Sequence, residues 1–491
     1  MAFPARRWQP ALIVLHRWLG IGLSLMMLAW FASGVVMVFH GYPHYGDGPR
    51  RAALADLRIE TLRAAPASAA RTLDLPGPPS AIRVTRTGDR PRMHLRTEGG
   101  PWRSVYADTG APVPALERAS ARQRARRLTG AAATEATRLT RPDQWTFAGR
   151  LSPFRPLWRV ALANEAGSVV YLSERTGELV HRTDRSARLW GYAGPVVHWL
   201  YPTRLRHLDG LWRQLVMGLA GVGAVLCLSG LALGALQWRR LHRRRPRGWR
   251  GWHHALGLVF GLFAFTWVFS GLLSLDPFHW ASKPLFDDGA RSWIAGGERP
   301  QPPTRPIAAL AAAHERPARL REIAWQPIAG ESGYRLSAAD GATAWVAEDG
   351  TGLSERLGEP RVRALLARRG GHALTELDRL TAYDAYHYPR RRDRLADRDP
   401  PLPVYRADYT DGVRVYFDPA RAEVVHALDG RRRLERWLYQ GLHSLALPPL
   451  APGSTRWYVI VLAALAGGGA LSASGVWLTV AWLRRRPRRR G

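Results

Sequence analysis

Hydrophobic and polar positions are distributed along this 491-residue chain on two different length scales. Four runs, Ala11–Phe39, Leu211–Trp238, Trp252–Leu275 and Trp457–Leu483, are apolar almost throughout. Each supplies the ~20 residues that a helix rising ~1.5 Å per residue needs to cross a bilayer. The first run is too long for the core of a signal peptide and has no clear small-x-small cleavage site, so it reads as a retained anchor. Between the runs lie two long segments in which short alternating stretches predict strands. In the first segment these are Ala81–Thr87, Arg92–Arg96 and Trp102–Ala107, then Leu157–Leu162, Ser168–Ser173 and Glu178–His181. In the second they are Ile323–Gln326, Tyr334–Ser337, Ala344–Ala347, Val404–Tyr409, Val413–Phe417 and Glu423–Ala427. The alanine- and arginine-rich Ala115–Leu128 predicts a helix, and the proline-rich Asp74–Ser80, Arg299–Pro306 and Asp399–Pro403 mark linkers or strand boundaries.

The pattern repeats. His16, Gly20, Trp30, Ser33 and Gly34 recur as His253, Gly257, Trp267, Ser270 and Gly271, at a constant offset of 237 residues. Tyr171–Gly230 matches Tyr416–Gly475 without a gap at an offset of 245, pairing Glu178 with Glu423, His181 with His426, His198 with His443 and Trp212 with Trp457. Each half holds two spans, so both enter the membrane in the same sense, related by a pseudo-two-fold axis along its normal. The expected fold is an α-helical integral membrane protein. Its four-helix transmembrane bundle is built from two parallel repeats and carries two α+β domains. The divisions are residues 1–10, span 11–40, domain 41–209, span 210–238, loop 239–251, span 252–275, domain 276–456, span 457–483 and tail 484–491.

Charge changes the picture by its placement. A net +32 invites a nucleic-acid reading, yet the arginines cluster at the span ends. Arg6 and Arg7 precede the first span; Arg239, Arg240, Arg243, Arg244, Arg245, Arg247 and Arg250 fill the loop between the second and third; Arg484, Arg485, Arg486, Arg488, Arg489 and Arg490 close the chain. By the positive-inside rule these are cytoplasmic, and the two long segments lie on the opposite face. No nucleic-acid partner is expected. Lys283 is the sole lysine, and nothing functional is read from that bias.

Cys227 is the only cysteine and sits inside the second span, which excludes an intramolecular disulfide, a cysteine zinc site, an iron–sulfur cluster and covalent haem attachment through C-x-x-C-H. The histidines carry the candidate chemistry. His16 and His253 fall at the same end of the first and third spans, and His198 and His443 precede the second and fourth. A parallel two-fold sets each pair across one axis, as two axial imidazoles of a non-covalent haem b would be. Two haems stacked across the membrane are expected, with these four histidines as iron ligands. His254 competes with His253, and His40 and His279, near the outer ends of the first and third spans, are second-rank as outer-site ligands or a metal-entry site. His181 and His426 read as surface residues on strands. The four Ser-Gly pairs read as close helix packing or room for a macrocycle edge, and Trp30 and Trp267 as interfacial or core aromatics. No G-x-G-x-x-G follows a strand and the loops are short, so no flavin or NAD site is expected. Electrons would then come from a membrane quinol or a separate donor.

The motifs LHRWLGIGL, VVHWLYPTRLR, WHHALGLVFGLFAFTWVFSGLLSLDPF and RWLYQGLHSLALP resemble those of PepSY-associated transmembrane proteins along essentially the whole chain. Strand turns such as SERTGELV look like PepSY modules, whereas FDPARAEVV lacks the usual Thr-Gly. The resemblance implies a bacterial inner-membrane ferric-siderophore reductase with two PepSY-like periplasmic domains, acting on a ferric siderophore or other ferric chelate. The rival readings are a membrane-anchored ligand- or protease-binding regulator without redox activity, and a transporter. Against the latter, the spans hold no acidic residue at mid-membrane depth and no broken pair.

Overall fold

The computed structural model describes residues 8–243, 247–280, 293–296, 301–312, 319–352, 354–389 and 399–485. Arg6, Arg7, Arg244, Arg245, Lys283, most of the basic tail and the first residues of the Arg299–Pro306 stretch lie outside them. The chain forms two compact units. One comprises Met1–Tyr42, Leu189–Ser282 and Arg431–Gly491, the other Pro43–Arg188 and Lys283–Gly430.

The first unit is a four-helix bundle. Its helices, Gln9–Phe39, Asp209–Arg243, Trp249–Leu273 and Thr455–Arg485, cover the four apolar runs apart from Ser274 and Leu275, and are long and apolar enough to cross a membrane. The chain is therefore a membrane protein. In a bilayer each backbone N–H and C=O must be satisfied within its own segment, which only a continuous helix or a closed barrel achieves. The first helix packs against the second and fourth, and so does the third, leaving the first and third on a diagonal. Leu23, Met27 and Phe31 of the first helix meet Ala264, Trp267 and Val268 of the third in the bundle core. Phe31 and Trp267 touch across the diagonal, ring centres 5.8 Å apart. Trp267 is thus a core aromatic, 8% exposed. Before the second and fourth helices the chain winds through matching π-helical turns, Tyr192–Val196 and Arg436–Gly441. Such turns are rare and re-aim the side chains that follow, here His198 and His443.

The second unit contains three antiparallel sheets. Strands β4 (Ala133–Leu139), β5 (Leu157–Leu162), β6 (Val169–Ser173) and β7 (Leu179–Thr183) form one; β11 (Leu374–Leu380), β12 (Val404–Tyr409), β13 (Arg414–Asp418) and β14 (Glu423–Leu428) form its counterpart. The two sheets carry the same contact at matched residues. The Tyr171 hydroxyl donates to Asp143 at 2.8 Å in one sheet, and Tyr416 to Asp384 at 2.6 Å in the other.

The third sheet has six strands in the order β10-β9-β8-β1-β2-β3, from β1 (Ala81–Arg86), β2 (Pro91–Arg96), β3 (Arg103–Tyr106), β8 (Leu320–Trp325), β9 (Gly333–Ala338) and β10 (Thr343–Ala347). It pairs β1 with β8, Val84 opposite Ile323, so both long segments share one sheet. Where the sequence led us to expect separate outer domains, they form one unit. The physical reason is edge pairing: each three-stranded half would expose a row of unpaired backbone groups, and joining them satisfies both. Buried charge reinforces the joint. Arg50 reaches Glu322 at 2.6 Å, and Arg83 reaches Glu178 at 2.5 Å and Glu322 at 3.4 Å, with all four side chains nearly inaccessible. Burial pushes the Glu322 carboxyl up, but the Arg50 and Arg83 guanidiniums outweigh it and hold it at about 2.

Candidate functional site

The four repeated histidines come together in two pairs at opposite ends of the bundle. His16 and His253 lie on the diagonal helices with ring centres 6.2 Å apart. His198 and His443 face each other at 6.1 Å. Ser33 follows His16 by 17 residues, as Ser270 follows His253; at 1.5 Å per residue the two layers are about 25 Å apart.

Each histidine is held by a serine from another helix, and the arrangement is the same four times. His16 Nδ1 is 3.0 Å from Ser229 Oγ, His253 Nδ1 2.8 Å from Ser474, His198 Nδ1 3.1 Å from Ser33, and His443 Nδ1 3.1 Å from Ser270. Every one of these hydroxyls donates its own hydrogen to the carbonyl three residues earlier: Leu226, Leu471, Trp30 and Trp267. A hydroxyl has one hydrogen, so its oxygen must accept from the imidazole. That fixes the Nδ1–H tautomer and leaves the Nε2 lone pair on each ring to act as a ligand. The serines thus set tautomer and ring orientation, beyond the packing role the Ser-Gly pairs suggested.

The glycine beside each serine makes room for the ring. A Cβ on Gly230 would sit 2.8 Å from His16 Cε1, and one on Gly271 3.4 Å from His443 Cε1. On Gly475 and Gly34 it would stand 3.8 and 3.9 Å from the Cε1 atoms of His253 and His198. Symmetry extends to the tryptophans at the start of the second and fourth helices: Trp212 donates to the Trp199 carbonyl at 2.9 Å and Trp457 to the Ser444 carbonyl at 2.8 Å. Trp30 and Trp267 present buried indole N–H groups that find no acceptor among the described residues.

The remaining histidines are placed differently. His253, not its neighbour, faces His16; His254 Nε2 is buried without a hydrogen-bond partner among the described residues. His40 stacks on Trp190 with ring centres 4.5 Å apart. His279 is exposed beside Asp276. The structure does not bring these two together as a pair. His181, expected at the surface, is 1% exposed, packed on Tyr171 at 5.3 Å, and burial holds its imidazole down at about 3. His426 is half-buried against Tyr416. A strand residue beside a bulge can change face, and β6–β7 has such a bulge between Tyr171 and Leu172.

Sequence reasoning found the histidines and missed the role of the serines. The signal was present in the constant Ser-Gly spacing, but only the helix pairing shows which serine serves which histidine. No group of three or more histidine, cysteine, aspartate or glutamate side chains is gathered to hold a metal ion among the described residues. The profile of a family described as "PepSY-associated TM region" matches residues 13–357, which include His16, His198 and His253; His443 lies beyond the match. No curated protein matches the chain.

Proposed function

The chain belongs to the PepSY-associated transmembrane family, and from that premise we propose that it is a di-haem b protein passing electrons across the bacterial inner membrane to a ferric, siderophore-bound acceptor. The observation that carries the reading is the fourfold serine–imidazole bond, which leaves two Nε2 lone pairs for each facing pair. Two imidazoles sharing one metal need ring centres roughly 6 Å apart, from two bonds of ~2.0 Å and ~1.1 Å between each nitrogen and its ring centre. Separations of 6.2 and 6.1 Å fit that requirement. Two protein ligands suffice for a metal that arrives with its other positions filled, as iron does in haem. The unpartnered Trp30 and Trp267 N–H groups offer donors to the same region.

In this reading His16 and His253 hold one haem and His198 and His443 the other. When bound, haem supplies a one-electron Fe(III)/Fe(II) couple, and two of them would link a quinol or separate donor on one side to a ferric chelate on the other. The chain's own work is to fix the imidazoles, exclude water from the bundle core and insulate both sites with Leu23, Met27, Phe31 and Trp267. The arginine clusters orient the bundle with its termini cytoplasmic and the second unit periplasmic.

Haem content of the purified protein tests the proposal. Pyridine haemochrome analysis is expected to give two haem b per chain. His16→Ala or His253→Ala should each leave one, as should His198→Ala or His443→Ala, whereas His254→Ala keeps two. Colourless protein from haem-replete cells would end the proposal and favour a ligand-binding or regulatory role.

A further inference from the structure

The turn that departs from its repeat leads to a second site. In the first half, Thr176 and Gly177 join β6 to β7; at the matched positions between β13 and β14 stand Arg421 and Ala422. Gly177 has φ +73°, a conformation glycine adopts freely, and Ala422 holds φ +50° in its place. A left-handed alanine is strained and persists where the surroundings impose it. Gln326 imposes it here, its side-chain amide donating to the Arg421 carbonyl at 2.6 Å and to Ala422 at 3.1 Å. Thr176 is fully buried, whereas Arg421 is 37% exposed and lines a cavity of about 410 Å³. That volume is within the range of small-molecule sites.

The cavity wall draws on both long segments: Asp47 and Arg51 from the first, Arg335, Thr343, Asp399, Arg421 and Glu423 from the second. Its charges are unevenly satisfied. Asp47 bonds Arg50 at 3.0 Å, and Glu423 bonds Arg335. Arg51 has Glu322 no closer than 3.9 Å and Arg421 has Asp418 at 3.8 Å, and neither guanidinium makes a hydrogen bond among the described residues. Two planar five-donor groups therefore face a cavity with their forks open, the geometry that takes a carboxylate by paired hydrogen bonds. The same wall also carries the carboxylates of Asp47, Asp399 and Glu423, which would oppose a densely charged anion and favour a ligand with a hydroxyl to donate.

We propose that this cavity binds a small hydroxy-polycarboxylate, with Arg51 and Arg421 as its carboxylate clamps. The class includes chelators of ferric iron, so the site would also select a carboxylate-type acceptor; that last step rests on the electron-transfer reading, and the binding does not.

The test is calorimetric titration of full-length protein in zwitterionic-lipid nanodiscs with iron-free citrate, tricarballylate (the same skeleton without the hydroxyl) and inorganic phosphate. One citrate per chain is expected, with tricarballylate weaker. Arg51→Gln and Arg421→Gln should each weaken citrate by about ten-fold or more. Arg51→Lys should recover only part, because an ammonium keeps the charge but loses the fork. Arg71→Gln, at an exposed position of the same unit, should change nothing. No citrate binding, binding indifferent to both glutamine variants, or phosphate binding as tight as citrate would overturn the proposal. Because the ligand carries no iron, protein lacking haem can still bind it, so failure here and failure of the haem reading are read separately.

Discussion

A single methyl group at Gly230 should distinguish a ring-shaped recess from ordinary helix packing. An added Cβ would lie 2.8 Å from His16 Cε1, 3.5 Å from Nδ1 and 3.7 Å from Nε2. Carbon atoms rest ~3.5–4.0 Å apart, so the ring must retreat by about 0.7 Å or more. Retreat disturbs the 3.0 Å bond to Ser229 and displaces Nε2 from the position it holds opposite His253. Overpacking of this kind costs ~1–3 kcal/mol, and losing an outer bond to a ligating histidine lowers metal affinity by ~10–100-fold. The matched Gly475→Ala is the internal control, because its Cβ would stand 3.8 Å from His253 and its tighter contact, 3.3 Å, is with Ser24 Cβ rather than with the ring. Haem per chain, measured by pyridine haemochrome on detergent-purified protein, should fall from two toward one for Gly230→Ala and stay near two for Gly475→Ala. Gly271→Ala, at 3.4 Å from His443, should be intermediate. Full haem and an unaltered spectrum in Gly230→Ala would refute the reasoning. Equal losses in Gly230→Ala and Gly475→Ala would trace the effect to the helices rather than to the ring contact.

Ser474→Ala removes the acceptor that fixes the His253 tautomer, and haem affinity at that site should drop by ~10–100-fold while the His198/His443 site is spared, measured by haem transfer to apomyoglobin. Glu322→Gln leaves Arg50 and Arg83 short of a buried counter-charge and should destabilise the second unit by ~3–5 kcal/mol in denaturant titrations. Glu322 is held at about 2, below its ordinary 4.5. Its contribution is therefore complete above pH ~4.5 and is lost as pH falls toward 2, a dependence that Glu322→Gln should flatten. Reporter fusions at Gly130 and Gly350, both in turns with positive φ, should show periplasmic activity; cytoplasmic activity at either would overturn the orientation.

Apolar runs, arginine placement and the offsets of 237 and 245 residues are properties of contiguous sequence, and they determined the four spans and the matched histidines. Strands rich in apolar and β-branched residues were legible for the same reason, even where, as in β6, every position is buried. β4 and β11 were not: they are edge strands, largely exposed, and their residues ATEATRL and LTELDRL carry little apolar pattern. Tertiary structure alone decided which residues meet. That Ser229 serves His16, that β1 finds β8, that His181 is buried and that Arg51 and Arg421 share a cavity all depend on segments far apart in the chain. Hydrophobic periodicity reports which face of an element is buried. It does not report what buries it, because the partner is set by packing between elements and by the need to satisfy every buried polar group at once.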